Sequence, residues 1–252
     1  MSKLLENKVA LITGAGQGVG QGIALAMVDE GARIAVTGRT LEKLEHSCEL
    51  IAQRGGEAIA VQCDVKDMAS LEQCVARTVE HFGTIDILVN NAQEVPLGEL
   101  HNISDEMFEA GWQSGPQATL RLMKLCYPYL KGGGCIVNLA STAAKRWDAT
   151  GYGAYAAVKE ATRALTRAAA CEWAAEGIRS NVILPHATSP GLKWWMENRP
   201  EEAAEFVASI PMQRVGDCEN DIGRFVATLC GPGCDYVNGQ SIAVDGGQAN
   251  MG

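Results

Sequence analysis

The chain has 252 residues, 47% of them apolar and 20% charged, and 30 acidic against 21 basic side chains give a formal net charge of −9. That length supports a substantial core without disulfides or metals, and the negative balance argues against nucleic acid or an anionic membrane surface as the main partner. The nine cysteines have no paired spacing, no signal-peptide core follows Met1–Lys8, and no apolar run nears the ~20 residues of a membrane span; a soluble cytoplasmic protein with buried, reduced thiols and no metal site is expected.

Short β-branched apolar runs recur at 8–13, 33–37, 57–61, 86–89, 134–138, 179–183 and, more weakly, 241–244. Each is short and bounded by Gly, Asp or Asn, as strands buried on both faces of a parallel sheet should be. Helical patterns fill the gaps at 18–30, 41–54, 67–82, 104–130 and 154–176. Such alternation predicts right-handed βαβ units in a doubly wound, Rossmann-type α/β fold, helices on both faces, with residues 1–252 as a single domain.

In such sheets the ligand sits beyond the carboxyl ends of the strands. The first strand runs into Thr13-Gly-Ala-Gly-Gln-Gly-Val-Gly20, the second into Gly38-Arg39, the third into Asp64-Val65. The fourth is followed by Asn90-Asn91-Ala92, the fifth by Ser141 and the sixth by Pro185-His186. A glycine-rich strand-to-helix turn lets backbone N–H groups and the helix dipole meet a pyrophosphate, with Gly14, Gly18 and Gly20 giving the tight turn and close approach. Three such glycines can also serve packing alone; the position after the first strand favours a nucleotide.

Tyr155 and Lys159 stand four apart in an Ala-rich helical stretch, which puts both on one face. An ammonium about 5 Å from a phenol favours phenolate by roughly 3 kcal/mol at an effective dielectric near 20, enough to bring the tyrosine towards neutrality. A tyrosine so tuned can protonate a carbonyl oxygen or deprotonate an alcohol. The plainer alternative is an exposed Tyr–Lys pair with Ser141 capping a loop.

The string T-G-x-x-x-G-x-G, with Asn90-Asn91-Ala92, Ser141, Tyr155–Lys159 and Val244-Asp-Gly-Gly247, resembles the short-chain dehydrogenase/reductase family from about Asn7 to Gln248. The resemblance implies Ser141, Tyr155 and Lys159 as catalytic residues. It implies Gly14, Gln17, Gly18, Val19, Arg39, Asp64, Val65, Asn91, Tyr155, Lys159 and Pro185 around a nicotinamide cofactor. An acid at the end of the second strand would favour NAD. Here Gly38 and Arg39 stand instead, and a guanidinium can grip a 2′-phosphate, so NADP(H) is expected over NAD(H). A solvated surface arginine is the plain reading of Arg39, and a helix cap that of Asp64.

Three positions depart from the family's pattern. Gln93 follows Asn90-Asn91-Ala92 where glycine is usual, His186 follows Pro185 where glycine is usual, and the helical asparagine of the catalytic tetrad falls on Gly115. Pro116 lacks an N–H for the Trp112 carbonyl, which predicts a kink and a free backbone oxygen for a relay water. Gln93, Glu94, Trp147, His186, Trp194, Trp195 and Met196 become candidates, beside Ser141, for the substrate wall, with 186–210 as a lid. A bulky, largely apolar or aromatic small molecule and a homotetramer paired through the Ala-rich helix are expected; the Trp194–Trp195 segment could instead form an oligomer contact. Two other activities remain open: a nucleotide-binding regulatory or scaffold protein, and a halide- or water-eliminating relative.

Overall fold

Seven strands form one parallel sheet: β1 (Val9–Thr13), β2 (Arg33–Gly38), β3 (Ala58–Gln62), β4 (Ile87–Asn90), β5 (Cys135–Leu139), β6 (Arg179–Pro185) and β7 (Ser241–Val244). Their order is β3-β2-β1-β4-β5-β6-β7. The computed structural model describes residues 3–145 and 150–249. Every pairing is parallel, and β1 sits between β2 (Ile12 beside Val36) and β4 (Ile12 beside Val89). The connections run outward on either side of β1, so a crevice opens at its carboxyl end, where the glycine turn begins.

On one face, α1 (Gly18–Asp29), α2 (Leu41–Gln53) and α9 (Arg224–Cys230) cover the sheet through Ile23, Met27, Leu44, Ile51 and Val226. On the other, α3 (Met68–Phe82), α5 (Ala118–Leu130) and α6 (Gly153–Glu172) pack through Leu71, Val75, Leu122, Met123 and Ala169. α2, α3 and α5 bury one apolar stripe each and so have one stable place, against the sheet, whereas α1 is buried all round from Gly22 to Val28.

The predicted helix 104–130 is three pieces. α4 (Asp105–Trp112) leads into a π-turn at Gln113–Gln117 before α5, and Gly115 leaves helical geometry with φ −96° and ψ −105°. Pro116 inside the turn has no N–H to continue the ladder, so the expected kink is present. The predicted 154–176 shortens to α6, after which a single turn ends at Gly177 in the left-handed region, φ +81°. The segment 186–210 folds into α7 (Pro190–Asn198) and α8 (Pro200–Ser209), each opened by a proline at its start. α9 was not among the sequence expectations. It follows a second π-turn at Cys218–Gly223, and its tight seat on α1 leaves no room for side chains at Gly22 or Gly223. The thiols need one correction: four are buried, but Cys171 is exposed at the outer end of α6.

Candidate active site

The glycine turn is built by backbone that no other residue could supply. Gly14 has φ +66°, and a Cβ at Gly20 would overlap the Gly14 carbonyl oxygen and stand 2.5 Å from Asn91 Nδ2. The Asn91 side chain donates to the carbonyls of Thr13 (2.8 Å) and Gly14 (3.2 Å), while its own N–H donates to Thr13 Oγ1 (3.0 Å). The turn is thus laced from β4 to β1. α1 begins at Gly18 with no side-chain cap and no acid in its first turn, so its first N–H groups and positive dipole end remain open to an anion.

A cleft of about 430 Å³ follows from this turn along the ends of β2, β3 and β4. Gly14, Gln17, Gly18, Val19, Arg39, Asp64, Val65 and Asn91 line it, and Gln93 and Glu94 lie on the same wall. Asp64 does not cap α3; Asp67 does, accepting from Ala69 (3.2 Å) and Ser70 (3.3 Å), while Asp64 Oδ1 accepts from Lys66 N–H (3.0 Å). Glu94 bridges two cations, Arg39 Nη1 at 2.9 Å and Lys66 Nζ at 3.0 Å. That contact places Glu94 at the Arg39 end of this cleft, not on a separate substrate wall. The open helix start, the side-chain-free glycines and the cations beyond them fit a dinucleotide phosphate chain.

Thr40, Lys43, Ser189 and Pro190 also line the cleft and escaped the sequence reading. Lys43 comes from the first turn of α2 and donates to Gln17 Oε1 at 2.6 Å, bringing a second cation beside Arg39. Ser189-Pro190 carries a legible helix-start signal, since Ser189 Oγ accepts from Leu192 N–H at 3.2 Å. Nothing in the sequence tells that α7 starts against Gly18.

Tyr155 and Lys159 lie one turn apart on α6, with Lys159 Nζ 5.5 Å from the centre of the Tyr155 ring. Lys159 is buried and donates to the Leu139 carbonyl at 2.7 Å, tying α6 to the end of β5. Ser141, the next loop residue but one, hydrogen-bonds the Tyr155 hydroxyl and accepts from Ala143 N–H at 3.2 Å, so it both caps a turn and faces the phenol. Beneath them a buried chain runs from Asn90 Nδ2 to Asn138 Oδ1 (2.8 Å) and from Asn138 Nδ2 to Thr166 Oγ1 (2.9 Å), joining β4, β5 and α6.

The electrostatics differ from the expectation. Burial pushes the Tyr155 phenol up to about 12; Tyr152 adds to the rise, and the Ser141 hydrogen bond opposes it. Burial also pushes Lys159 down to about 7. The pairwise attraction left out the desolvation of both charges, and here desolvation wins. Tyr155 as a whole is half-buried, but the atoms crowding its hydroxyl set the direction. The phenol is therefore a proton donor near neutral pH.

His186 and Trp195 both meet Phe206 of α8 edge-on, with ring centres at 5.2 and 5.7 Å. His186 also lines a second cavity with Met212, Arg214 and Asp221, away from the glycine turn. Trp194 is 64% exposed on α7. Pro185 closes β6 beside Val244. Met196 lies on α7, and Trp147 lies outside the described residues.

Residues 14–249 match the family model described as enoyl-(acyl carrier protein) reductase. The chain is 36% identical to a 12alpha-hydroxysteroid dehydrogenase of Clostridium sp., over 97% of each, and 35% identical to a sorbitol dehydrogenase of Cereibacter sphaeroides, over 96% of this chain and 98% of the relative. A short-chain dehydrogenase of Burkholderia cenocepacia, solved in complex with NADP, superposes with a TM-score of 0.90 at 29% identity, over 97% of this chain and 99% of the other. With its sheet order, glycine turn and Ser–Tyr–Lys group in register, the chain belongs to the short-chain dehydrogenase/reductase family, the NAD(P)-dependent oxidoreductases of CH–OH and C=O groups.

Proposed function

We propose that the protein is an NADP(H)-dependent oxidoreductase interconverting a carbonyl and a secondary alcohol on a bulky, largely apolar or aromatic small molecule, with Tyr155 as general acid/base. The observation that carries this reading is the meeting of Ser141 and Lys159 at Tyr155, in a chain whose glycine turn opens onto a cleft that fits a dinucleotide. When bound, the nicotinamide supplies or takes the hydride. Tyr155, held as a phenol, gives its proton to the carbonyl oxygen as negative charge develops there, and Ser141 holds that same oxygen. The reverse direction needs the phenolate, which Lys159 supports only as an ammonium. Gly14, Gln17, Gly18 and Val19 would hold the phosphates, and Asp64 and Val65 the adenosine end.

Arg39, with Lys43 beside it, supports NADP(H) over NAD(H). The Arg39–Glu94 pair does not oppose this, because its partners are 63% and 32% exposed. Such pairs contribute about 0–1 kcal/mol, less than a phosphate dianion gains from the same guanidinium. The apolar substrate class is supported by the steroid named for one relative, and by the aromatic contacts of Trp195 on α7 and of His186 with Phe206 on α8. In this reading α7 and α8 form the lid, and the assembly is a homotetramer.

A panel of ketones and aldehydes with NADPH, followed at the nicotinamide absorbance, tests the reaction, and fluorescence titration with NADPH and NADH tests the cofactor. Tyr155→Phe is expected to lower turnover by at least about a hundredfold while NADPH binding stays within about twofold. NADH binding as tightly as NADPH would refute the cofactor assignment. No turnover across the panel with cofactor still bound would favour a nucleotide-binding scaffold.

A further inference from the structure

Gln93 and Gly115, far apart in the chain, occupy one slot. A Cβ at Gly115 would overlap Gln93 Oε1 and stand 3.0 Å from Gln93 Nε2 and 2.8 Å from Val158 Cγ1. The glutamine amide therefore fills the space where a side chain at 115 would begin. Its Nε2 donates to the carbonyls of Glu94 (2.6 Å) and Gly111 (2.8 Å), with Ser114 Oγ at 3.4 Å. Two carbonyl acceptors fix which end of the amide is nitrogen. Oε1 then faces the π-turn, buried and, among the described residues, without a donor.

The neighbours are organised around this amide. Ser114 Oγ donates to the Ala110 carbonyl at 2.7 Å and accepts from Glu94 N–H at 3.0 Å, so the loop after β4 is pinned to the turn by this hydroxyl as well as by the Gln93 amide. Val158, which shares the slot, precedes Lys159 in α6. An ammonium has three donors, and the Leu139 carbonyl takes one of them. The slot thus joins three things: the loop after β4, the π-turn, and the stretch of α6 that carries the lysine.

We propose that Gln93 is a positioning residue for Lys159: its amide, wedged into the π-turn opposite Gly115, fixes α6 at Val158–Lys159 and offers that region a buried acceptor. This inference rests on the reading of Tyr155 and Lys159 as the working pair. It accounts for two departures at once, since glutamine at 93 requires glycine at 115.

The test compares kcat across pH, KM, NADPH affinity and melting temperature for the parent, Gln93→Met, Gly115→Asn and the double variant Gln93→Gly/Gly115→Asn. Gln93→Met fills the slot without an amide. It is expected to fold with a melting temperature near the parent's, keep NADPH affinity, lower kcat about tenfold or more with little change in KM, and move the pH limb of kcat. Gly115→Asn alone is expected to lose activity because its side chain displaces Gln93. The double variant, which returns an amide to the slot from the helix side, is expected to recover kcat to within about threefold of the parent, with the parent's pH limb. Parental kcat and pH profile in Gln93→Met, or losses that multiply in the double variant, would overturn the proposal. A parent with no turnover on the carbonyl panel would defeat the functional reading and this role with it; a turning-over parent matched by Gln93→Met would defeat this role alone.

Discussion

A lysine ammonium buried between α6 and the end of β5 works against folding. Lys159 is held down to about 7 from the ordinary 10.5, so the folded chain binds this proton more weakly than the unfolded chain does. The penalty for the buried charge is fully present below pH 7 and is relieved as pH rises from 7 towards 10.5. Tyr155, held up at about 12, stays neutral in the folded protein through that window. Lys159→Met is therefore expected to stabilise the protein by on the order of 3 kcal/mol at pH 6 and by much less at pH 9.5. Urea denaturation midpoints at the two pH values check this; an equal gain at both would mean that Lys159 keeps its proton in the folded protein at both pH values, with no lowering of its pKa by burial. The same variant should lose turnover, because a methionine cannot support the phenolate. None of this titration was legible in the sequence: the i, i+4 spacing shows that the two side chains meet, not how dry their surroundings are.

At the scale of elements, the glycine turn and the strands were legible, because both are local. A buried parallel strand is a short apolar run with a polar end, and the turn's needs are met within Thr13–Gly20. Gly20→Ala is expected to raise the dissociation constant for NADPH at least about tenfold and to cost roughly 1–3 kcal/mol of stability. Its Cβ must push aside the Gly14 carbonyl and the Asn91 amide that shape the turn. Cofactor titration and thermal unfolding of that variant are the check, and unchanged affinity would place the phosphates elsewhere. The kink at Pro116 was legible for the same local reason. The pairing of Gln93 with Gly115 was not, because each residue read alone is only a departure from a pattern, and the fold makes them neighbours. α9 and its π-turn also escaped, because seven residues carry too little periodicity to mark a helix. Their seat on α1 is set by Gly22 and Gly223, two glycines with no local signature.

The whole molecule carries a net charge of −9, and its cleft sets Arg39 and Lys43 at the edge of the sheet where the glycine turn opens, with Lys66 held nearby by Glu94, so the cations an anionic dinucleotide needs are gathered there. On the far side of the site, α4 and α5 leave Met107, Phe108, Trp112 and Leu120 between 36% and 46% exposed, with Phe108 and Trp112 stacked at 6.5 Å. Beside them α6 exposes Ala157, Ala164 and Ala168, small enough for a second helix to approach closely. If the proposed homotetramer forms, these exposed side chains on α4, α5 and α6 are where its subunits are expected to meet. Sedimentation equilibrium is expected to give four times the 26.8 kDa chain mass. Trp112→Arg, which sets a charge into the middle of that face, is expected to shift the distribution to smaller species without unfolding the monomer. Because the π-turn begins at the residue after Trp112 and holds the Gln93 amide through Gly111 and Ser114, loss of assembly should also lower kcat. A parent that sediments as a monomer, or a Trp112→Arg tetramer, would move the interface away from these helices.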